Sequence, residues 1–279
     1  MMQKGCAHAL RRRAWLGLSG VSLPLSPRSP ALQVLCDIQG RSIKHPPSLG
    51  GDVRFDQHPL TAGGRESASR VLAATAMSRP DVTLCPQLPD LAQALLCYVS
   101  EQECLSCLES LLSQQRSPFL QSDDQPLLPS CAGCPPSCSP PEGGDERARM
   151  FSLNAQRVLE GEVAVRECLS AVELRVEASC PGLVDHLKAL DLRVTAVSSE
   201  WVRRMFCGSV AYPDFLRVVD IIMLEGIKSL VLLCVACFTL NHHHLRLCTS
   251  REEGQAVLES FLEQPGSTQL LIRAAYPGG

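Results

Sequence analysis

The residues with the chemistry to do something are cysteines, histidines and arginines. Three Cys-x-x-Cys pairs occur: Cys104/Cys107, Cys131/Cys134 and Cys234/Cys237. Zinc needs four ligands converging on a tetrahedron. The first and third pairs lie in apolar helical patterns, where a three-residue step puts both thiols on one buried face. Only Cys131, Cys134 and Cys138 lie in a segment able to wrap an ion, and no fourth ligand is evident nearby. His242-His243-His244 with Cys248 looks like a metal cluster, but consecutive helical residues point in different directions. A helix C-terminus, whose dipole suits histidine, is the better reading. No metal and no cofactor is expected. Phosphate-binding loops of the Gly-x-x-x-x-Gly-Lys type, dinucleotide turns and Gly-x-Ser-x-Gly elbows are all absent. Arg11-Arg12-Arg13 and Arg203-Arg204 are short cationic runs. On charge alone they are solvated helix faces as readily as binding sites.

The chain that must position these groups has 279 residues, 45% apolar and 20% charged. That is a globular balance. A net charge of −3 excludes a broadly basic nucleic-acid-binding domain. Aromatics make up 4%, while leucine and alanine dominate, which favours helices over a sandwich. Fifteen cysteines cannot all pair. Those on apolar faces read as small hydrophobes in a reducing, cytosolic protein. The basic N-terminus, with no acidic residue before Asp37, fits a transit peptide or a basic first helix, and the helix is preferred. The most apolar stretch, Leu230 to Leu240, is short of the ~20 residues a membrane span takes. It reads as a core helix.

Along the chain, a helix over 5–18 precedes a Pro/Ser-rich stretch, 19–30. A brief apolar segment (Leu32 to Ile38) and a long loop (42–65) follow. Helices are expected over Glu66–Met77 and 89–99. Ser100 and Glu103 then fit a capping box that opens a helix through Leu112. Residues 114–148 are rich in proline, cysteine and glycine and read as a flexible insertion. Val165, Leu169, Val172 and Val176 mark the seam of the next helix. Cys180-Pro181-Gly182 breaks it before Leu183–Leu190. Ser198 or Ser199 is expected to cap a helix containing Trp201, Met205 and Phe206. Phe215–Leu224 and Ile227–Phe238 flank Gly226. Ser250 and Glu253 fit a second box ahead of Val257 and Phe261. No strand ladder and no repeat of fixed period is found. The expected architecture is all-α.

These segments resemble the TBC domain, the helical fold of Rab GTPase-activating proteins. The resemblance rests on Pro181 to Leu187, on Trp201 through Phe206, and on Leu216-Arg217-Val218-Val219-Asp220 followed by Glu225-Gly226. In the N-terminal half it rests on His8-Ala9-Leu10-Arg11 to Trp15 and on Pro80 through Pro89. Cys85-Pro86-x-Leu-Pro89 and Asp37-Ile38-x-x-Arg41-Ser42 look like the TBC–TLDc, or Skywalker-like, branch. The domain is expected over 1–275, interrupted at 19–30 and 114–148, with 276–279 a tail and no TLDc domain.

The resemblance implies a Rab- or Arf-family small GTPase as partner. Active members insert an arginine and a glutamine at the bound GTPase; the arginine stabilises charge on the phosphoryl group and the glutamine orients water. Here Gly40 stands at the arginine position, with Arg41 one residue late. Pro86 stands at the glutamine position, with Gln87 one residue late. Glycine offers no donor, and proline has neither an amide side chain nor a backbone N–H. The expectation is therefore a catalytically degenerate regulator of vesicle traffic. One alternative is an active protein using Arg41 and Gln87; another is a product unable to fold around its 19–30 stretch. The Skywalker-like branch also implies a phosphoinositide pocket, carried here onto Arg11 and Arg203. It places the protein in the cytoplasm and peripherally on membranes. Clustered arginines grip phosphates through forked hydrogen bonds.

Overall fold

The computed structural model describes residues 6–21, 29–113 and 158–277. The insertion expected at 114–148, with Cys131, Cys134 and Cys138, and most of the 19–30 stretch lie outside the described residues. Within them are twelve α-helices, one 3-10 turn (Phe55–Gln57) and no strand, only an isolated bridge between Cys207 and Val210. The all-α architecture is as the composition predicts.

The N-terminal part holds α1 (His8–Leu18), α2 (Pro30–Ile38), α3 (Ala62–Ser78), α4 (Leu88–Leu96) and α5 (Glu101–Leu112). Helix α3 is its centre, packing on α2, α4 and α5. Its start lies upstream of the expected Glu66 because Thr61 caps it, the hydroxyl accepting from the Gly64 amide at 3.1 Å. The Ser100–Glu103 capping box forms in both directions and fixes the start of α5.

The C-terminal part holds α6 (Gly161–Ser179), α7 (Leu183–Ala189), α8 (Val194–Arg204), α9 (Tyr212–Glu225), α10 (Lys228–Leu247), α11 (Arg251–Glu263) and α12 (Ser267–Ala275). Helix α10 is its axis, contacting α6, α7, α8, α9, α11 and α12. Leu230, Leu233, Cys234, Cys237 and Phe238 are sealed inside it. Each such aliphatic or aromatic side chain contributes about 1.5–3 kcal/mol by leaving water. At 20 residues α10 is longer than its apolar core predicts and long enough to cross a bilayer. The six helices packed around it account for its apolarity. His242, His243 and His244 are exposed at its C-terminal end, where the dipole argument puts them.

Helix α8 departs from the expectation. It starts at Val194, so Ser198 and Ser199 lie within it and cap nothing. It stops at Arg204, because Met205 and Phe206 take left-handed φ of 52° and 64°. Such conformations are costly for non-glycine residues. Here both side chains are buried, and Phe206 stacks on Trp201 with centroids 5.4 Å apart.

Candidate functional site

Helix α2 ends at Ile38, and the Arg41 amide closes a turn onto the Ile38 carbonyl at 3.0 Å. Gly40 sits in that turn at φ +78°, a region that favours glycine. Gly40 and Arg41 are exposed, and the Arg41 side chain has no ion-pair partner among the described residues. Among the described residues Arg41 is thus an exposed side chain without a partner, while Gly40 presents no side chain.

The second position is closed. The Cys85 amide donates to the Leu49 carbonyl at 2.7 Å, and the Gly161 amide donates to the Leu84 carbonyl at 2.8 Å. Residues 84–86 thus lie clamped between the 49–51 turn and the start of α6. Pro86 is buried. Gly51 presses so close that a Cβ there would collide with the Pro86 carbonyl oxygen. Glu160, beside this clamp, has its carboxyl pushed up by desolvation; Arg79 partly counters that and Asp81 adds to it.

Gln87 is turned inward. Its side chain has no exposed surface. Nε2 donates to the Val202 carbonyl at 2.9 Å, and Oε1 accepts from the Leu159 amide at 2.9 Å. The amide ties the start of α4 to α8 and to the chain entering α6. In this structure both ends of the amide that was the candidate substitute for the missing glutamine are bonded inside the protein.

Arg11 is likewise turned inward. It is 3% exposed. Nε donates to Asp220 Oδ1 at 2.9 Å and one terminal nitrogen to Asp220 Oδ2 at 2.8 Å. The remaining donors meet the Tyr98 hydroxyl, the Cys6 carbonyl and His8 Nδ1. A guanidinium so engaged has no hydrogens left for a phosphate. Arg203, by contrast, keeps about a third of its side chain exposed, bonded to Ser199 Oγ at 3.2 Å and 3.9 Å from Glu162. Arg11 and Arg203 share no partner. The structure does not join them into one pocket.

Sequence reasoning missed a buried polar knot. His58 Nε2 lies 3.0 Å from Asp90 Oδ1, and Arg204 Nε donates to Asp90 Oδ2 at 3.2 Å. Arg204 also bonds Gln57, and Cys207 Sγ lies 3.5 Å from His58 Nε2. Cysteine, histidine and aspartate suggest a thiol nucleophile, but the geometry opposes it. Asp90 and Cys207 both face Nε2, whereas a triad needs the carboxylate on the other ring nitrogen. Burial, then the Asp90 charge, pushes the Cys207 thiol far above its ordinary value. The donors of His58, Asp90 and Cys207 fall within 4.8 Å of one another and are the described residues best placed to hold a metal. Arg204 already neutralises the carboxylate, so a dication there would meet a fixed positive charge. The knot staples the 55–58 loop to α4 and α8. Arg204, half of the Arg203-Arg204 run, was its one visible signal.

Comparison with known proteins decides the family. The model of the Rab-GTPase-TBC domain matches residues 54–132 and 156–247, well over half of the chain. The chain belongs to the TBC domain family. Among curated relatives, TBC1 domain family member 24 of Xenopus tropicalis is 23% identical over 85% of this chain. The GTPase-activating protein skywalker of Drosophila melanogaster is 23% identical over 78%. The chain spans 37% and 32% of the lengths of these two relatives. The solved TBC domain of Drosophila Skywalker, in complex with inositol(1,4,5)triphosphate, superposes with a TM-score of 0.65 at 17% identity, covering 95% of this chain and 83% of that one. The flagellar RabGAP TBC domain of Chlamydomonas gives 0.65 at 14% identity, covering 100% and 83%. At these identities the likeness carries the TBC fold alone.

Proposed function

We propose that this TBC domain binds a Rab- or Arf-type small GTPase without accelerating its hydrolysis, as a non-catalytic regulator of membrane traffic. One observation carries the reading. The position where active members present glutamine is Pro86, buried under Gly51, and the adjacent Gln87 is locked to Val202 and Leu159. With Gly40 at the arginine position, neither the charge nor the water-orienting amide is offered to a nucleotide. An arginine finger alone supplies about 10³- to 10⁵-fold in rate.

Single-turnover GTP hydrolysis across a panel of Rab and Arf proteins, with binding measured in parallel, tests this. The expected result is saturable binding of at least one GTPase in its GTP form with hydrolysis at its intrinsic rate. Stimulation that disappears in Arg41→Ala would overturn it, since Arg41 is an exposed cation beside Gly40 with no ion-pair partner among the described residues.

The inositol phosphate bound to the Skywalker TBC domain supports a finer proposal, a phosphoinositide headgroup held near Arg203 and so a peripheral membrane location. Arg11 contributes to folding instead. Flotation with vesicles containing phosphoinositide tests this: Arg203→Ala is expected to weaken association. Unchanged flotation of Arg203→Ala would refute the assignment.

A further inference from the structure

The backbone on both sides of Glu160 is tied to the segment that holds Pro86. The Leu159 amide donates to Gln87 Oε1 at 2.9 Å, and the Gly161 amide donates to the Leu84 carbonyl at 2.8 Å. While both bonds hold, the backbone of residue 160 cannot move outward. The Glu160 side chain keeps 25% of its surface exposed and does not cap the helix it precedes, α6.

The groups facing this carboxylate compensate it poorly. The turn after α3, closed by the Val82 amide on the Arg79 carbonyl at 3.1 Å, carries Arg79 and Asp81. The Arg79 fork is taken up by Asp81: Nε donates to Oδ1 at 2.9 Å and a terminal nitrogen to Oδ2 at 2.7 Å. A terminal nitrogen of Arg79 lies 4.0 Å from Glu160, beyond hydrogen-bond reach. Asp81 brings a like charge, and Glu109 of α5 also draws on the Arg79 charge. The clamped segment contributes the buried Cys85 thiol, whose ionisation Glu160 opposes. On α6 itself the next carboxylate, Glu162, is placed 3.9 Å from Arg203 of α8.

We propose that Glu160 is a proton-operated latch on the 84–87 segment: its protonated carboxyl holds Gly161 on Leu84, and its ionisation loosens them. Burial pushes the Glu160 carboxyl up, with Arg79 partly opposing and Asp81 adding to the rise. Opening hydrates the group and returns it toward its ordinary value, ~4.3. The closed form therefore binds the proton more tightly than the open form. Closure strengthens as pH falls from neutrality and levels off below the ordinary value. Pro86 lies inside this clamp, so the latch sets how readily that edge yields. The inference rests on these bonds and charges alone and is independent of the GTPase reading.

Amide exchange of the full chain, followed by NMR from pH 7 to 4.5, tests the latch. Protection factors divide out the intrinsic pH dependence of exchange, and amides of α10 report global unfolding. Relative to α10, protection of the Gly161 amide is expected to rise about threefold or more over this range. In Glu160→Gln it should already be high at pH 7 and stay flat. Arg79→Ala removes the partial compensation and should steepen the dependence. A reading that needs no variant is the carboxyl carbon resonance of Glu160, which should titrate above ~4.3. Flat protection in the parent, or an equal rise in Glu160→Gln, would overturn the latch. So would a Glu160 carbon that titrates at or below the ordinary value, whatever the variants show.

Discussion

Arg11 and Asp220 form a two-pronged ion pair between α1 and α9, 209 residues apart in the chain, with side chains 3% and 11% exposed. Asp220 is filled on both oxygens, since Oδ1 also accepts from the Trp15 indole at 2.8 Å and Oδ2 from the Cys6 amide at 3.3 Å. The guanidinium lies 5.6 Å from the Trp15 ring and 5.3 Å from the Tyr98 ring. Removing one partner leaves the other as an unpaired buried charge, which costs about 3–5 kcal/mol. Arg11→Ala and Asp220→Ala should each lower stability by that amount in urea unfolding. Arg11→Lys keeps the charge but loses the fork, and should recover only part of it. Unfolding curves of either alanine variant that overlay the parent would contradict this picture.

Gln87 gives a prediction that separates structure from catalysis. Gln87→Ala strands the Val202 carbonyl and the Leu159 amide in a buried site. Each unsatisfied group costs about 1–3 kcal/mol. The variant should be less stable by a few kcal/mol while GTP hydrolysis by any bound GTPase stays at its starting rate. A lower hydrolysis rate in a folded Gln87→Ala protein would show that the amide reaches the nucleotide.

How far the sequence announced all this depends on the range of the interaction. The Ser100–Glu103 box is a local pattern, and it was readable because both partners lie within one turn. The Ser250–Glu253 pattern was half right: Ser250 caps Glu253, but the glutamate turns to Thr249. The end of α8 was not readable. Met205 and Phe206 have ordinary helical propensity, and they leave the helix only because Trp201 and the core offer a better place for Phe206. Arg11 and Gln87 are polar residues in sites that bury them. Their partners, Asp220, Val202 and Leu159, lie 72 to 209 residues away, beyond any local pattern. Gly40 and Pro86, at the positions where the resemblance expects arginine and glutamine, were legible for the opposite reason: a residue type is read without any knowledge of its neighbours.

The capping glutamate predicts a pH dependence. Burial alone would raise the Glu103 carboxyl, but the Ser100 amide and the Arg12 guanidinium outweigh it and hold the group below its usual range. A depressed folded value means stabilisation that is complete above the unfolded value, ~4.3, and lost as pH falls through the folded one. Glu103→Gln should therefore cost about 1 kcal/mol at pH 7. The gap from the parent should shrink steadily below about pH 4. Guanidinium unfolding at pH 7, 5, 4 and 3 measures it; a gap that widens in acid would reverse the assignment.

Restoring the residue types that active members carry tests whether, in the proposed non-catalytic reading, chemistry or architecture sets the limit. If the two side chains were the only deficit, Gly40→Arg with Pro86→Gln would recover much of a finger's 10³- to 10⁵-fold effect. The structure argues otherwise for residue 86. It lies beneath Gly51, where not even a Cβ fits above the Pro86 carbonyl, and between strands of backbone joined at Leu49 and Gly161. A glutamine placed there starts from a buried backbone held on both sides. Residue 40 is exposed, so Gly40→Arg alone puts a cation in solvent, although at φ +78° its backbone is strained. The double variant should therefore stay within about tenfold of intrinsic hydrolysis, far short of a finger's contribution. A rise of a thousandfold would mean that the 49–51 turn opens when the GTPase binds, and the closed clamp would then be a gate.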